Sequence, residues 1–346
     1  MFLGHIFGHF LLLLPVLVPH SNGELSIPRW TPLYKCFRMR AGMNLLRGCD
    51  TDKYCCPEPE MYLPHDTCGK SRTQPTKSRE PTPNEFPWMA MLLYGHKNKK
   101  SEKLLPKCGG SLINNWHVLT AAHCVEYPFV EYPFALKSVR LGEHDTSTNP
   151  DLTVMNGITR YTHRYLEIEV DQIFVHEQFN RRKRLINDIA LLRLQVPVRY
   201  TEAIQPICIP GPHMMSSHNR IFQASGWSDT GKGIPSQVLL RSFIPERHPD
   251  VCKSNDNFDF SSQICAGGLD GNYTRHGDSG GPLMETVIHG NVLVTYASGI
   301  ISYGSKTCQQ KICLPAFYTK TAYFFDWINS KLRSALIDSG HKMNYV

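Results

Sequence analysis

Beyond Val18 this 346-residue chain contains no apolar run approaching the ~20 residues that a membrane-spanning helix requires. No later segment is therefore expected to cross a bilayer. Cys-x-x-Cys pairs are also missing. Cys55 and Cys56 are neighbours with no histidines at ligand spacing around them, so neither a metal nor a cofactor is expected. Short-period repeats and low-complexity tracts are absent, and 19% charged residues beside 41% hydrophobic ones argue against wholesale disorder. The net charge of +7 is scattered rather than gathered into a stripe, which argues against a nucleic-acid partner. One basic run stands apart, Arg181-Arg182-Lys183-Arg184, readable as a solvated loop or a surface contact site.

The apolar stretch that does occur, Leu11–Val18, is broken by Pro15 and followed by the small residues Ser21-Asn22-Gly23. It reads as the centre of a secretory signal over residues 1–23, with an amino-terminal flank poor in positive charge. Twelve cysteines behind such a segment imply disulfides in an oxidising, extracellular compartment. Five of these, Cys36, Cys49, Cys55, Cys56 and Cys68, fall in the turn-rich residues 24–69. Residues 70–84 are polar and rich in Pro and Thr, which predicts an exposed linker. From Glu85 onward, short β runs alternate with turns: Met89–Tyr94, His117–Thr120, Val139–Leu141, Ile189–Leu194, Ile221–Ser225 and Val292–Ser298. That pattern predicts an all-β sandwich or barrel. Only Tyr323–Ile337, with Phe324, Trp327, Ile328, Leu332 and Leu336 at helical spacing, predicts a helix.

Three blocks carry chemistry: Thr120-Ala121-Ala122-His123-Cys124, Asn187-Asp188-Ile189-Ala190-Leu191-Leu192, and Gly277-Asp278-Ser279-Gly280-Gly281-Pro282. A serine hydroxyl is a weak nucleophile until a base takes its proton. Ser279 would attack a peptide carbonyl. His123 would accept the proton and return it to the leaving amine, and Asp188 would fix the imidazole tautomer and stabilise the imidazolium. Gly277 permits a turn that aims its N–H, with that of Ser279, at the developing oxyanion. The chain order His, Asp, Ser is that of the chymotrypsin group.

On these motifs, residues from about Glu85 to Leu336 resemble a trypsin-like serine protease of the chymotrypsin family. The branch is the arthropod, easter-like one that carries clip domains. The resemblance implies two six-stranded antiparallel β-barrels over residues 85–346, with the active site between them; the simple account of the helix at Tyr323–Ile337 is packing on the second barrel. It further implies disulfides Cys108–Cys124, Cys252–Cys265 and Cys68–Cys208. Ser302-Tyr303-Gly304 resembles the strand that pairs with substrate backbone, and Ala316 falls on the pocket wall. Tyr54-Cys55-Cys56-Pro57, Leu63-Pro64 and Cys68-Gly69 resemble the close of a clip module. With four cysteines before Cys68 where the pattern uses six in all, residues 24–69 form a truncated version. The implied partners are a protein or peptide substrate, an upstream activating protease and a serpin-type inhibitor, in an extracellular cascade of immunity or development.

Departures from the family pattern fall on activation and specificity. Family zymogens are cut to free Ile-Val-Gly-Gly, whose ammonium pairs with the Asp before the nucleophile, here Asp278. In this chain the stretch reads Pro75-Thr76-Lys77-Ser78, and cuts after Arg72, Lys77 or Arg79 give Thr, Ser or Glu termini. The pocket-floor position that holds Asp in trypsin-like members is Tyr273, and Ala316 replaces Gly, so preference for Arg or Lys is not expected. Arg275 stands where the family has a cysteine, which leaves Cys308 to pair locally with Cys313. Asn272-Tyr273-Thr274 is a glycosylation sequon beside the pocket, or a chance occurrence. Leu152 and the segment near Tyr161 lack a cysteine pair of easter-like relatives, a loss that orphans neither partner. The two functional readings left open are a secreted serine endopeptidase made as a zymogen and a catalytically weak homologue acting as a binding module or cascade cofactor.

Overall fold

In the computed structural model, residues 63–343 are described except for 74, 99–102, 127, 131–132, 156–157, 182–184, 215–218, 229–233, 254–257, 269–276, 305–307 and 310–311. The signal segment, the greater part of the cysteine module, and Asn272, Tyr273 and Arg275 therefore lie outside the described residues.

Two six-stranded antiparallel sheets make up the fold. The first is built from β1 (Met89–His96), β2 (Leu105–Leu112), β3 (His117–Thr120), β4 (Phe134–Leu141), β7 (Leu166–Val175) and β8 (Ala190–Leu194), with the hairpin β5 (Leu152–Met155) and β6 (Ile158–Tyr161) between β4 and β7. These six strands close as β1-β2-β3-β8-β7-β4. β1 pairs with β2 on one edge and β4 on the other, and its residues Met89 to Tyr94 are all buried. Its run Met89-Ala90-Met91-Leu92-Leu93-Tyr94 is accordingly continuous in apolarity rather than alternating.

The second sheet contains β9 (Ile221–Gly226), β10 (Leu240–Pro245), β11 (Gln263–Ala266), β12 (Pro282–His289), β13 (Val292–Gly304) and β16 (Ala316–Lys320). Their order is β10-β9-β12-β13-β16-β11, and a bridge between Glu246 and Ala266 brings the two edge strands together. A one-turn helix α1 (Pro249–Cys252) precedes β11, and the small hairpin β14 (Cys308–Gln309) and β15 (Ile312–Cys313) precedes β16. Cys308 and Cys313 stand opposite each other in that ladder, the register a local bridge requires. In the β5–β6 hairpin Leu152 faces Tyr161, so the positions without their cysteines are cross-strand neighbours.

α2 (Phe325–Met343) closes the described chain. Packing on the second barrel, as expected, is only part of its surroundings. Phe324, Ile328 and Leu332 enter a core cluster that holds Met284, Ala297 and Ile300 of the second sheet together with the first-barrel residues Leu92, Leu112 and Leu191. Trp327 and Lys331 both reach Glu177, and the His176 ring packs against Phe324 and Trp327. The aromatic pair at the head of the helix finds these partners after β7, which explains its reach to the first barrel. Among the described residues no helix is long and apolar enough to cross a membrane.

Residues 70–84 keep the exposed side chains expected of them from Lys77 to Glu80, yet Pro81 is buried and so is Glu85 just beyond. Arg241 on β10 explains this: its backbone N–H donates to Arg79 O (2.7 Å), and its guanidinium meets Glu85 Oε1 at 2.6 Å.

Candidate active site

His123 sits on a 3-10 turn, Ala122–Cys124, entered from β3 through extended Ala121. Ala121 and Ala122 are fully buried, so small side chains let the turn press into the barrel. Two anchors hold it. Cys124 is bonded to Cys108 on β2, and the buried Tyr94 hydroxyl donates to Cys124 O at 2.7 Å. Burial raises the Tyr94 phenol pKa, so it remains a donor.

Asp188 lies just before β8, after Asn187 in the left-handed region (φ 58°). Its side chain has no solvent exposure, and its oxygens are filled by donors. Oδ1 accepts the His123 backbone N–H at 2.9 Å, Oδ2 accepts His123 Nδ1–H at 2.7 Å, and Ser302 Oγ donates to Oδ2 at 2.5 Å. Thr319 Oγ1 donates to its carbonyl at 2.8 Å. Asp188, next to a first-barrel strand, is thus held by the second sheet, its carboxylate by β13 and its backbone carbonyl by β16. Burial acts to lower the His123 pKa, but the Asp188 charge and hydrogen bond oppose it, and the net shift is upward from 6.5.

Ser279 is half-buried in the turn Gly277–Gly281. Its carbonyl accepts Gly109 N–H of β2 (2.8 Å), while Gly280 N–H donates to Ile301 O of β13 (2.8 Å). The turn is therefore bonded to both sheets. Gly280 has φ 80°, and a Cβ there would fall 2.2 Å from Thr120 Oγ1 and 3.1 Å from Cys124 Sγ. Only glycine seats the Ser279 turn against the His123 turn. Gly277 has φ 98°, a backbone conformation that favours glycine. Asp278 is buried, with its carboxylate against Gly226, where a Cβ would meet Oδ1 at 2.2 Å.

Among the described residues His123 makes no hydrogen bond to Ser279; its Nε2 lies 3.7 Å from Cys124 Sγ. Such contacts commonly tighten only when substrate is bound. Cys108, His123 and Cys124 gather three metal-type donor atoms within 4.8 Å, but both sulfurs are spent in one disulfide and supply no thiolate.

On the far side of the site, Ser302, Tyr303 and Gly304 end β13 beside Ala316 of β16, with Gly304 and Ala316 paired in register. A methyl on Gly304 would come within 3.0 Å of Ala316 Cβ, so the two walls are close. Tyr303 stacks on Phe317, ring centroids 4.5 Å apart, and burial pushes its phenol pKa up to about 12. Cys252–Cys265 and Cys68–Cys208 are also formed. Sequence reading missed Thr319 and the aromatic wall of Phe129 and Phe179 beside His123, whose ring centroid is 6.1 Å from that of Phe129. No short motif marks either.

Comparison with known proteins gives the same architecture a family. The Trypsin family model matches residues 76–328. The chain is 39% identical over 257 residues to the Spaetzle-processing enzyme of Drosophila melanogaster, covering 72% of this chain and 64% of that protein. It is 38% identical over 268 residues to Melanization protease 1 of the same organism, covering 74% and 64%. It thus spans about 64% of the length of these curated relatives. The crystal structure of the Drosophila Grass clip serine protease of the Toll pathway is similar with a TM-score of 0.65 and 28% identity, covering 80% of this chain and 77% of that one. The sequence motifs, the paired six-stranded sheets and these matches agree that the chain belongs to the trypsin, chymotrypsin-type family of serine proteases, in its arthropod clip-domain branch.

Proposed function

We propose that the chain is a secreted serine endopeptidase, made as the zymogen of an extracellular proteolytic cascade. Ser279 is the nucleophile, His123 the general base and acid, and Asp188 the orienting carboxylate, with the N–H groups of Gly277 and Ser279 as oxyanion donors. The carrying observation is the His123–Asp188 bond of 2.7 Å, made to a carboxylate with no solvent exposure, beside a Ser279 turn packed so tightly on Thr120 and Cys124 that Gly280 has no room for a Cβ. Asp188 selects the Nδ1–H tautomer, which leaves Nε2 as the proton acceptor that Ser279 needs. Membership of a branch that includes Spaetzle-processing and melanization proteases supports a protein substrate, an upstream activating protease and a serpin-type inhibitor as partners.

Primary specificity in this reading is not for Arg or Lys. Ala316 crowds the wall opposite Gly304, and Tyr273 supplies no carboxylate at the pocket position. The second reading, a catalytically weak homologue that binds rather than cuts, draws on the missing Ile-Val-Gly-Gly at Pro75–Ser78. A fluorophosphonate probe separates the two. Trypsin-treated protein labelled at Ser279, with loss of label in Ser279→Ala, supports the enzyme. No labelling under any activating cut supports the homologue. A peptide library cut preferentially after Arg would overturn the specificity assignment.

A further inference from the structure

Strand β1 is flanked by two bulges, one on each neighbour, and the extra residue of each is a lysine. Opposite Leu92 and Leu93, β2 sets Cys108 and Pro106, which leaves Lys107 over. Opposite Leu93 and Tyr94, β4 sets Ser138 and Leu136, which leaves Lys137 over. A bulge re-aims the side chain that it carries. Both ammonium groups come to one rung at the end of the sheet, where His96 faces Phe134 and Lys97 N–H donates to Pro133 O at 2.9 Å. Lys107 Nζ stands 4.5 Å from the centre of the Phe134 ring, and Lys137 Nζ donates to Lys97 O at 3.3 Å. A Cβ on Gly95 would meet Leu104 Cδ2 at 2.6 Å and Lys137 Cγ at 3.5 Å, so the leucine and the lysine stem lie directly on its backbone. Lys103 and Leu105, on either side of Leu104, are exposed.

No carboxylate answers these charges. Among the described residues Lys103, Lys107 and Lys137 form no ion pair, whereas Arg140, further along the same strand as Lys137, is bridged to both Glu143 and Glu167. A lone surface lysine is ordinary. Here the heads gather around a half-buried ring and two leucines, a mixture that a purely solvated face does not need. The patch is also close to the reactive turn. Lys107 stands two residues before Gly109, whose N–H donates to Ser279 O, a distance of ~7 Å along an extended strand. Cys108 between them is bonded to Cys124 beside His123. A protein held at Ser279 therefore brings its flanking residues within reach of Lys107.

We propose that Lys103, Lys107 and Lys137, with Phe134 and Leu104 among them, form a docking patch for an acidic segment of the protein substrate, one that sets apolar side chains between its carboxylates. The patch rests on the reading of Ser279 as a nucleophile that acts on proteins, and names a feature of the substrate. Carboxylates meet the ammonium groups while an apolar side chain covers the ring and the leucines. A sulfated glycan fits less well, because it has nothing to lay on Phe134, Leu104 and Leu105, and the patch holds no arginine fork. Exposed charges of this kind are screened over about 10 Å at 0.1 M salt, so the patch serves capture and orientation of the substrate.

The full-length chain carrying Ser279→Ala, which cuts nothing, is titrated into a fluorescein-tagged probe peptide of alternating glutamate and leucine, and binding is read by anisotropy. Saturable binding is expected, weaker by about tenfold when salt is raised from about 50 to 300 mM. Lys107→Gln with Lys137→Gln should weaken it about fivefold, and Lys103→Gln alone about twofold. Lys253→Gln with Arg333→Gln removes the same charge from exposed positions elsewhere and should leave binding unchanged. Circular dichroism verifies the fold of every variant, and Lys103→Gln, outside the strands, keeps the test open should the bulge variant misfold. Absence of binding at low salt overturns the proposal. So do patch variants that bind like the parent, or a control pair that loses as much as they do. A heparin fragment that binds more tightly than the peptide, and is lost in the same patch variants, overturns the assignment to an acidic protein segment. Failure of wild-type Ser279 to take a fluorophosphonate sinks the protease reading and leaves the measured docking standing.

Discussion

Two buried carboxylates organise this molecule, and they do so with opposite partners. Asp188 faces an imidazole, 15% exposed, whose charge comes and goes near neutral pH. Glu85 faces a guanidinium with no exposure, a planar fork of fixed donors, and the two form a clamp. At Asp188 a hydroxyl, a backbone N–H and a ring N–H surround the acid, so a proton can cross the far edge of the ring while the carboxylate stays put. At Glu85 the donors tie together segments more than a hundred residues apart, Glu85 and Arg241 being 156 positions distant. One arrangement is built to change state and the other to hold it.

The comparison breaks most sharply at the catalytic pair. Asp188→Asn preserves the shape but offers the wrong hydrogen-bonding pattern to Nδ1. The expected result is a fall of about 10,000-fold in the rate of acylation at Ser279, measured by stopped-time labelling, with an unchanged thermal midpoint. At the clamp the effect should be on stability instead. Arg241→Met leaves Glu85 charged and unpaired in the interior, and is expected to cost about 3–5 kcal/mol by urea denaturation. The double variant Arg241→Met with Glu85→Met should recover most of that loss, since neither charge is then stranded. If the double variant is no better than the single one, the loss lies in packing rather than in charge.

The smallest test concerns pH. Because His123 titrates above 6.5 in the folded chain, the base form required for attack is lost as pH falls through that raised value. Labelling should therefore drop to half at a pH above 6.5, and in Asp188→Asn the midpoint should move down. Stability runs the other way: the protonated imidazole is favoured by the fold, so its contribution is full below the unfolded value and lost as pH rises through the folded one.

The blocks around His123, Asp188 and Ser279 were readable because each is contiguous, and the roles proposed for them draw on side-chain chemistry alone. The strands that were readable, such as β3 and β9, carry apolar residues set off by turns. β7 was not, because Leu166-Glu167-Ile168-Glu169-Val170-Asp171 alternates charge onto a half-exposed face and the register shifts between Val170 and Gln172. β2 was hidden by Pro106 and the pair Gly109-Gly110, the latter kept small by Val118 and Leu119 O, 2.8 and 3.0 Å from any added Cβ. The clamp left no local trace. A glutamate before Phe-Pro-Trp and an arginine in Leu-Arg-Ser-Phe are ordinary in isolation, and only their meeting across the fold gives them meaning.

The Ser279 turn has one bond to β2 and two to β13, so it pins the two sheets to each other. A force that slides one sheet over the other must drag the Ser279 carbonyl or the Gly280 amide with it. Loosening of the interface is thereby felt at the Ser279 turn while each barrel is still whole.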